Sequence, residues 1–239
     1  MRRLSVILLT ALPVPVAAQD QTFSLPGGCT GYLTVQSADC EVSHHFTCEN
    51  YDAGVQGRVD LGPNGPTYIG TIDAEAQWVN SFNPDTGSTE TLLLTPPDAA
   101  SFSALIGTGT DTYDFSTMND QTGVLNFVGQ DSLSGETVVI DGVTLEQTNM
   151  QIMVLSEDGT ELWRTTGHEY ISREWRMFLS GTGETTSADG SYKSDGSPVE
   201  FVFPGEPGFL SANPKFGCNT VISRATPDPL LQLIRLAGH

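Results

Sequence analysis

The chain has 239 residues, with 10 Lys and Arg against 29 Asp and Glu, so its formal net charge is −19. A hydrophobic content of 38% and this length allow one large β domain with its own core, and they exclude a collagen, a coiled coil or a multi-span membrane protein. The acidity also excludes a nucleic-acid binder, because phosphate contacts need a basic surface.

Residues 1–18 have the layout of a secretory signal peptide. Arg2 and Arg3 precede an apolar stretch from Leu4 to Val16, and small residues lead up to Ala18. We therefore expect cleavage after Ala18, export by general secretion and a periplasmic location. Cleavage would remove two Arg and no acid, which leaves the mature chain with a net charge of −21.

Four cysteines, an even number, are typical of a protein that folds in an oxidising compartment. Three pairings are possible. If residues 37–39 form a tight hairpin turn, positions whose numbers sum to 77 face each other, and Cys29 then faces Cys48. We expect this disulfide together with Cys40–Cys218. A metal site is disfavoured because the chain has no Cys-x-x-Cys.

Short runs rich in β-branched and aromatic residues alternate with turns of Gly, Pro, Asn and Asp. The main runs that we expect to be strands are 32–35, 55–61, 67–72, 77–82, 89–94, 124–128, 137–145, 151–155, 162–165 and 171–179. Strands that follow one another in this way predict a mainly β fold. We expect an antiparallel up-and-down meander, curled into a barrel or half-barrel, with one or two short helices.

The remaining segments complete the predicted organisation. Residues 96–107 predict one short helix, since Pro comes early in the segment and Gly at its end. Residues 182–197 are rich in Gly, Ser, Thr and Asp and predict a loop. We expect a single β domain over 19–226, followed by a short apolar C-terminal helix or tail at 227–239. That tail either packs on the body or contacts a partner or a membrane.

Linear catalytic motifs are incomplete in this chain. Residues 85–88 read Asp-Thr-Gly-Ser, as in aspartic proteases, but no second copy exists, so we expect a turn. His168-Glu169 begins like a zinc-protease motif and lacks the second His. His44 and His45 are adjacent, and we expect one at the surface and one in the core. We therefore expect no assigned catalytic residue, no metal and no cofactor.

Basic and aromatic residues gather in one segment of the otherwise acidic chain. The candidate ligand-binding residues there are Trp163, Arg164, His168, Arg173, Trp175 and Arg176. Arg binds carboxylates and phosphates through two parallel hydrogen bonds, and Trp supplies an apolar platform. A ligand with an anionic head and an apolar body would suit them. The alternative is that these Arg pair with Glu161, Glu169 and Glu174. Strand alternation also places Arg173 and Arg176 on opposite faces.

Residues 169–181 and 203–209 resemble uncharacterised secreted proteins of alphaproteobacteria. The resemblance implies export and carries no activity. In architecture, the predicted meander with a helix is also similar to the half-barrels of lipoprotein carriers.

The leading hypothesis is a non-enzymatic periplasmic binding or accessory protein that holds an apolar or amphipathic small molecule within the curled sheet. One alternative is an accessory partner that docks on a membrane complex through its C-terminal tail or acidic face. The other alternative is a hydrolase without a linear motif. Its mark would be two nearby carboxyl groups in a deep pocket, with pKa values pushed apart.

Overall fold

A computed structural model describes residues 21–218, which form one antiparallel sheet of 13 strands and one short helix. The predicted fold class is confirmed. The elements are β1 (Cys29–Ser37), β2 (Val42–Cys48), β3 (Gln56–Gly62), β4 (Gly65–Ile72), β5 (Trp78–Asn83), β6 (Ser88–Leu92), α1 (Phe102–Thr108), β7 (Thr110–Asn119), β8 (Gly123–Ile140), β9 (Val143–Ser156), β10 (Glu161–Ser172), β11 (Met177–Ser187), β12 (Gly190–Asp195) and β13 (Pro198–Val202). The predicted signal peptide (1–18) and C-terminal tail (227–239) lie outside the described residues.

The sheet is curled until its two edges lie near each other. Each strand from β1 to β12 pairs with the next, and β13 returns to the free side of β1. Only residues 196 and 197 separate β12 from β13, although these strands stand at opposite ends of the sheet order. Such a short connection spans at most about 11 Å. The sheet is therefore almost a barrel, and in the described part of the chain no ladder joins its two edge strands.

Alternate side chains of the strands face the inside of the curl and form the core. One cluster packs aromatic and aliphatic residues of β7 to β10, with Phe115 and Phe127 stacked at 5.1 Å between ring centres. A second cluster joins Leu33 of β1 to Leu145 of β9 and Met177 of β11. Strands so distant in the sheet order meet only because the sheet wraps around a common interior.

Helix α1 covers one end of the curled sheet. Its buried residues Phe102 and Leu105 pack with Ile171 of β10. The predicted helix exists but begins later than expected, at Phe102 instead of residue 96. The reason is that Asp98 forms an isolated antiparallel bridge with Asp114 of β7, and this bridge holds the preceding residues extended.

Both predicted disulfides, Cys29–Cys48 and Cys40–Cys218, are present. Cys29 and Cys48 are direct partners in the β1–β2 ladder, as the hairpin argument required. The register then shifts by one residue, so Leu33 faces His45. A β-bulge on β1 near residue 32 accounts for this difference from a regular hairpin.

The outer face of β1 to β3 is covered by chain from both ends of the described region. Phe23 and Ala212 pack on the outward side chains of these strands, and the Phe23 amide donates to the Leu210 carbonyl at 2.7 Å. His44 lies beneath these terminal segments, where it is fully buried and stacked on Phe23. The expectation that one of the two adjacent histidines is at the surface is therefore wrong, because His45 is also buried on the inner face.

Three segment predictions also need correction. Residues 182–187 and 190–195 are paired strands of β11 and β12, not a loop. Their Thr content favours strands, and Thr185 shares a hydrogen bond with Thr165 of β10 at 2.7 Å. The predicted strands 137–145 and 171–179 are each interrupted by a turn, at residues 141–142 and 173–176.

Candidate ligand site inside the curled sheet

The interior of the curled sheet contains three adjoining cavities, and Trp78 of β5 lines all of them. The indole packs edge-on against Phe115 and Phe127, at 5.6 and 5.4 Å between ring centres. Trp78 is thus the shared wall between the compartments, and its position is set by aromatic contacts from β7 and β8.

The main cavity leaves about 60 Å³ for the centres of water-sized molecules. At about 10–15 Å³ for each water, this holds about four to six waters or a small organic ligand. Its walls are mostly apolar, and its lining residues are Ala76, Gln77, Trp78, Leu92, Ala100, Tyr113, Phe115, Asp131, Met150, Ile152, Glu169 and Phe178. A few polar groups in an apolar hollow are typical of small-molecule sites.

Asp131 of β8 is one of two carboxyl groups in this cavity. It is 6% exposed, and its Oδ1 atom has no hydrogen-bond partner. Across the β7–β8 ladder it lies directly opposite Asp111. Burial, and then the neighbouring charge of Asp111, raise the pKa of Asp131 to about 7. Its carboxyl group is therefore poised to change protonation state near neutral pH.

Glu169 of β10 is the second carboxyl group, and it is 8% exposed. Burial raises its pKa well above the ordinary value, the charge of Asp131 raises it further, and Arg58 opposes the shift. The hydroxyl of Tyr113, in the same cavity, also has its pKa raised by burial and by Asp131. The cavity therefore stabilises protonated groups, unless a ligand brings positive charge.

A second cavity, beside the first, is lined by His45, Gln56, Arg58 and Tyr68, among others. Arg58 Nη2 lies 3.1 Å from Asp60 Oδ2, and the guanidinium stands 4.7 Å from the centre of the Tyr68 ring. Burial, followed by the charge of Arg58, lowers the pKa of His45 to about 3. His45 is accordingly neutral at pH 7, and its buried Nε2 has no hydrogen-bond partner.

A third, smaller cavity contains Glu90 of β6 and Trp163 of β10. Glu90 accepts a hydrogen bond from the Thr117 hydroxyl at 2.7 Å. Burial raises the pKa of Glu90, although its hydrogen bonds with Thr117 and Asn119 oppose the shift. The carboxyl group of Glu90 therefore has hydrogen-bond donors from neighbouring side chains, whereas Asp131 Oδ1 has none.

Residues 73–77 and helix α1 pack together beside the main cavity, which Ala76 and Gln77 line. Two arginines hold these two segments to the β10–β11 turn. Arg176 donates to the Ala74 carbonyl at 2.9 Å and to Glu75 at 3.0 Å. It also donates to the Ser103 hydroxyl at 2.9 Å. Arg173 pairs with Glu146 and reaches the Ile106 carbonyl. We call residues 73–77 and α1 the cover.

The structure distributes the six candidate residues predicted from the sequence over several places. Trp163 lines a cavity, while Arg173 and Arg176 hold the cover. Arg164 pairs with Glu161 on the exposed side of β10. His168 shares a hydrogen bond with the Thr182 hydroxyl at 3.1 Å.

Trp175 packs against Phe201 and Phe203. Each of the three Arg thus has a separate acidic partner, at Glu161, Glu146 and Glu75. Of these three acids, the sequence had suggested Glu161. A ligand-binding role for the six residues stays a prediction.

Sequence reasoning missed Asp131, Asp111 and Trp78 as site residues. The signal that could have found them is phase within a strand, since residues two apart share a face. On β7, Asp111 lies on the same face as the buried Tyr113 and Phe115. On β8, Asp131 lies on the same face as the buried Phe127. Each acid is therefore placed on the inward face of its strand. Glu169 was noticed as part of a partial zinc motif and as a possible partner of the Arg residues, not as a cavity residue.

No cluster of three or more His, Cys, Asp and Glu among residues 21–218 is placed to hold a metal ion. In the same part of the chain, no helix has the length and apolar character needed to cross a membrane. Residues 85–87 lie in the β5–β6 hairpin turn, and Ser88 begins β6. Asn83 Oδ1 accepts the Asp85 and Thr86 amides at 2.9 and 3.1 Å. The turn interpretation of Asp-Thr-Gly-Ser is confirmed.

Comparison with known proteins gives no relative: no family model, curated protein or solved structure matches this chain. The functional argument therefore depends on the geometry of the interior cavities.

Proposed function

We propose that this protein is a non-enzymatic periplasmic binding protein that holds a small amphipathic molecule inside its curled sheet. The observation that carries the proposal is the main cavity, which combines apolar walls with the buried and unpartnered carboxyl oxygen of Asp131. The two disulfides are compatible with export.

An unsatisfied buried polar group costs about 1–3 kcal/mol. Such a destabilising group is expected where it has a function. A ligand with a hydrogen-bond donor would supply the hydrogen bond that Asp131 Oδ1 lacks. The apolar part of the ligand would lie against Phe115, Ile152 and Phe178. The arrangement thus suits a molecule with one polar end and one apolar end.

Native mass spectrometry of the protein isolated from its own periplasm, without detergent, tests the proposal. We expect a co-purifying small molecule. Ala100 lines the cavity, so Ala100→Leu should fill it and reduce the bound fraction at least tenfold. Ala99 is its exposed neighbour, and Ala99→Leu is the matched control that should keep the ligand. Repeated absence of any bound mass in the wild-type protein contradicts the proposal.

A second candidate function, a hydrolase without a linear motif, rests on the presence of Asp131 and Glu169 in one cavity. Two such carboxyl groups can act as acid and base when their pKa values are pushed apart. Here burial raises both pKa values, so binding is better supported. Turnover of chromogenic esters or glycosides that is abolished by both Asp131→Asn and Glu169→Gln would favour the hydrolase.

Docking on a membrane complex is the remaining alternative. Its predicted contacts are the acidic face and the tail 227–239, and the tail lies outside the described residues. Deletion of that tail, followed by fractionation, tests it. A folded protein that loses membrane association would favour docking over ligand binding.

A further inference from the structure

We propose that the ligand of the main cavity carries a positively charged nitrogen, and that this nitrogen binds between Asp131 and Glu169. This inference depends on the proposed function and names the chemical class of its ligand: a small organic amine with an apolar body.

The first argument is the charge on the inner wall. Among the described residues, three carboxyl groups line the cavities, at Glu90, Asp131 and Glu169, and two more, Asp60 and Asp111, are buried without lining a cavity. Arg58 is the one Lys or Arg in the described part of the chain that lines any of the three cavities. His45 adds no charge at neutral pH. The interior therefore has an excess of acid that a cation would balance.

The second argument is that, among the residues that line the main cavity, Asp131 has the one buried side-chain oxygen without a hydrogen-bond partner. Asp60, which does not line this cavity, pairs with Arg58 through Oδ2, although its Oδ1 has no hydrogen-bond partner. Glu90 accepts from Thr117. Asp111 Oδ2 accepts the Ser101 amide at 2.8 Å, at the start of the cover. The unmet acceptor therefore lies in the same cavity as the second buried carboxyl group, Glu169.

The third argument is the aromatic wall. Trp78, Tyr113, Phe115 and Phe178 line the same cavity as the two carboxyl groups. The faces of aromatic rings attract cations, whereas they offer nothing comparable to an anion. Arg58 lines the neighbouring cavity and forms an ion pair with Asp60, although its buried Nε and Nη2 atoms have no hydrogen-bond partner. Among the described residues, no Lys or Arg lines the main cavity itself, so an anionic ligand would find no cation there.

Binding of benzylamine, benzyl alcohol and benzoate, measured by calorimetry and tryptophan fluorescence, tests the inference. These probes share a ring and differ in the charge of the polar group. We expect benzylamine to bind the wild-type protein at least tenfold more tightly than benzyl alcohol, and benzoate more weakly than either. Asp131→Asn should remove the preference for the amine. Asp114→Asn removes an acid from the same strand as Asp111, outside the cavity lining, and should keep the preference.

If Asp131→Asn does not fold, Glu169→Gln and the wild-type probe series still decide the question. Equal or tighter binding of benzyl alcohol or benzoate overturns the inference, and sensitivity of that binding to Ala100→Leu would leave the proposed function standing. A co-purified ligand without a basic nitrogen has the same meaning. If none of the three probes binds and no ligand co-purifies, both the inference and the proposed function fail.

Discussion

Asp111 and Asp131 lie directly opposite each other on β7 and β8, and both side chains are buried on the inner side of the sheet. Like charges in this position destabilise a strand pair. Burial raises the pKa of both groups, and the charge of Asp111 raises that of Asp131 further. One way to relieve the pair is protonation, and another is a cation in the adjacent cavity.

The first prediction concerns Asp131 and pH. Its pKa rises from the ordinary value of 3.8 to about 7 in the folded protein, so the folded state binds the proton more tightly than the unfolded state. The contribution of Asp131 to the free energy of unfolding is at its maximum below pH 4 and is lost as the pH rises through 7. In the wild type, this group should lower the unfolding free energy by up to about 1.4 kcal/mol for each unit by which the pH rises between 4 and 7. Asp131→Asn should remove this pH dependence.

Urea unfolding of the wild type, Asp131→Asn and Asp114→Asn between pH 5 and 8 measures this effect. The control variant should follow the wild type. Parallel pH profiles for the wild type and Asp131→Asn would contradict the assigned pKa shift.

The second prediction has the opposite sign and concerns His45. Its pKa is lowered to about 3 by burial and by Arg58, so the unfolded state binds the proton more tightly. Stability is full above the ordinary pKa of 6.5 and falls as the pH drops below it. His45→Gln should remove about 2 kcal/mol of the loss between pH 7.5 and 5. If unfolding free energies show the same loss in the variant, His45 is not buried in its neutral form.

The fold could be predicted from the sequence more completely than the site, for a physical reason. Strand runs, turns and the Cys29–Cys48 pairing depend on residues that are near in sequence, so local patterns indicate them. Asp131 and Glu169 meet only because β8 and β10 curl around the same hollow, and which acid lies inside depends on the phase of each strand. The 182–197 error arose because Gly and Ser content outweighed the Thr residues that pair β11 with β10.

The third prediction compares the two disulfides. Cys40–Cys218 closes a separation of 178 residues and Cys29–Cys48 one of 19. Loss of loop entropy in the unfolded chain predicts a stabilisation of about 5 kcal/mol for the longer loop and about 3 kcal/mol for the shorter. Denaturant unfolding of the two double Cys→Ala variants checks the order. A larger loss on removing Cys29–Cys48 would mean that native packing, and not loop length, dominates.

The fourth prediction concerns Arg176, which links the β10–β11 turn to the cover. Its hydrogen bonds to Ala74, Glu75 and Ser103 are made by a charged donor, and such bonds contribute about 1.5–3 kcal/mol. Arg176→Gln should raise the hydrogen-exchange rates of residues 73–77 and 102–108 at least tenfold. Arg164→Gln breaks only an exposed pair and should change exchange there by less than twofold. Unchanged exchange in Arg176→Gln would show that the cover is held by apolar packing alone.

Methyl NMR of the methionines tests the central claim most directly, because two of them report on different surfaces. Met150 lines the main cavity, whereas Met118 is 43% exposed. On titration with a set of cationic, neutral and anionic ring compounds, the cationic members should shift the Met150 methyl signal and leave Met118 unchanged. If no member of the set moves Met150, or if Met118 responds instead, a ligand does not enter the curled sheet beside Asp131.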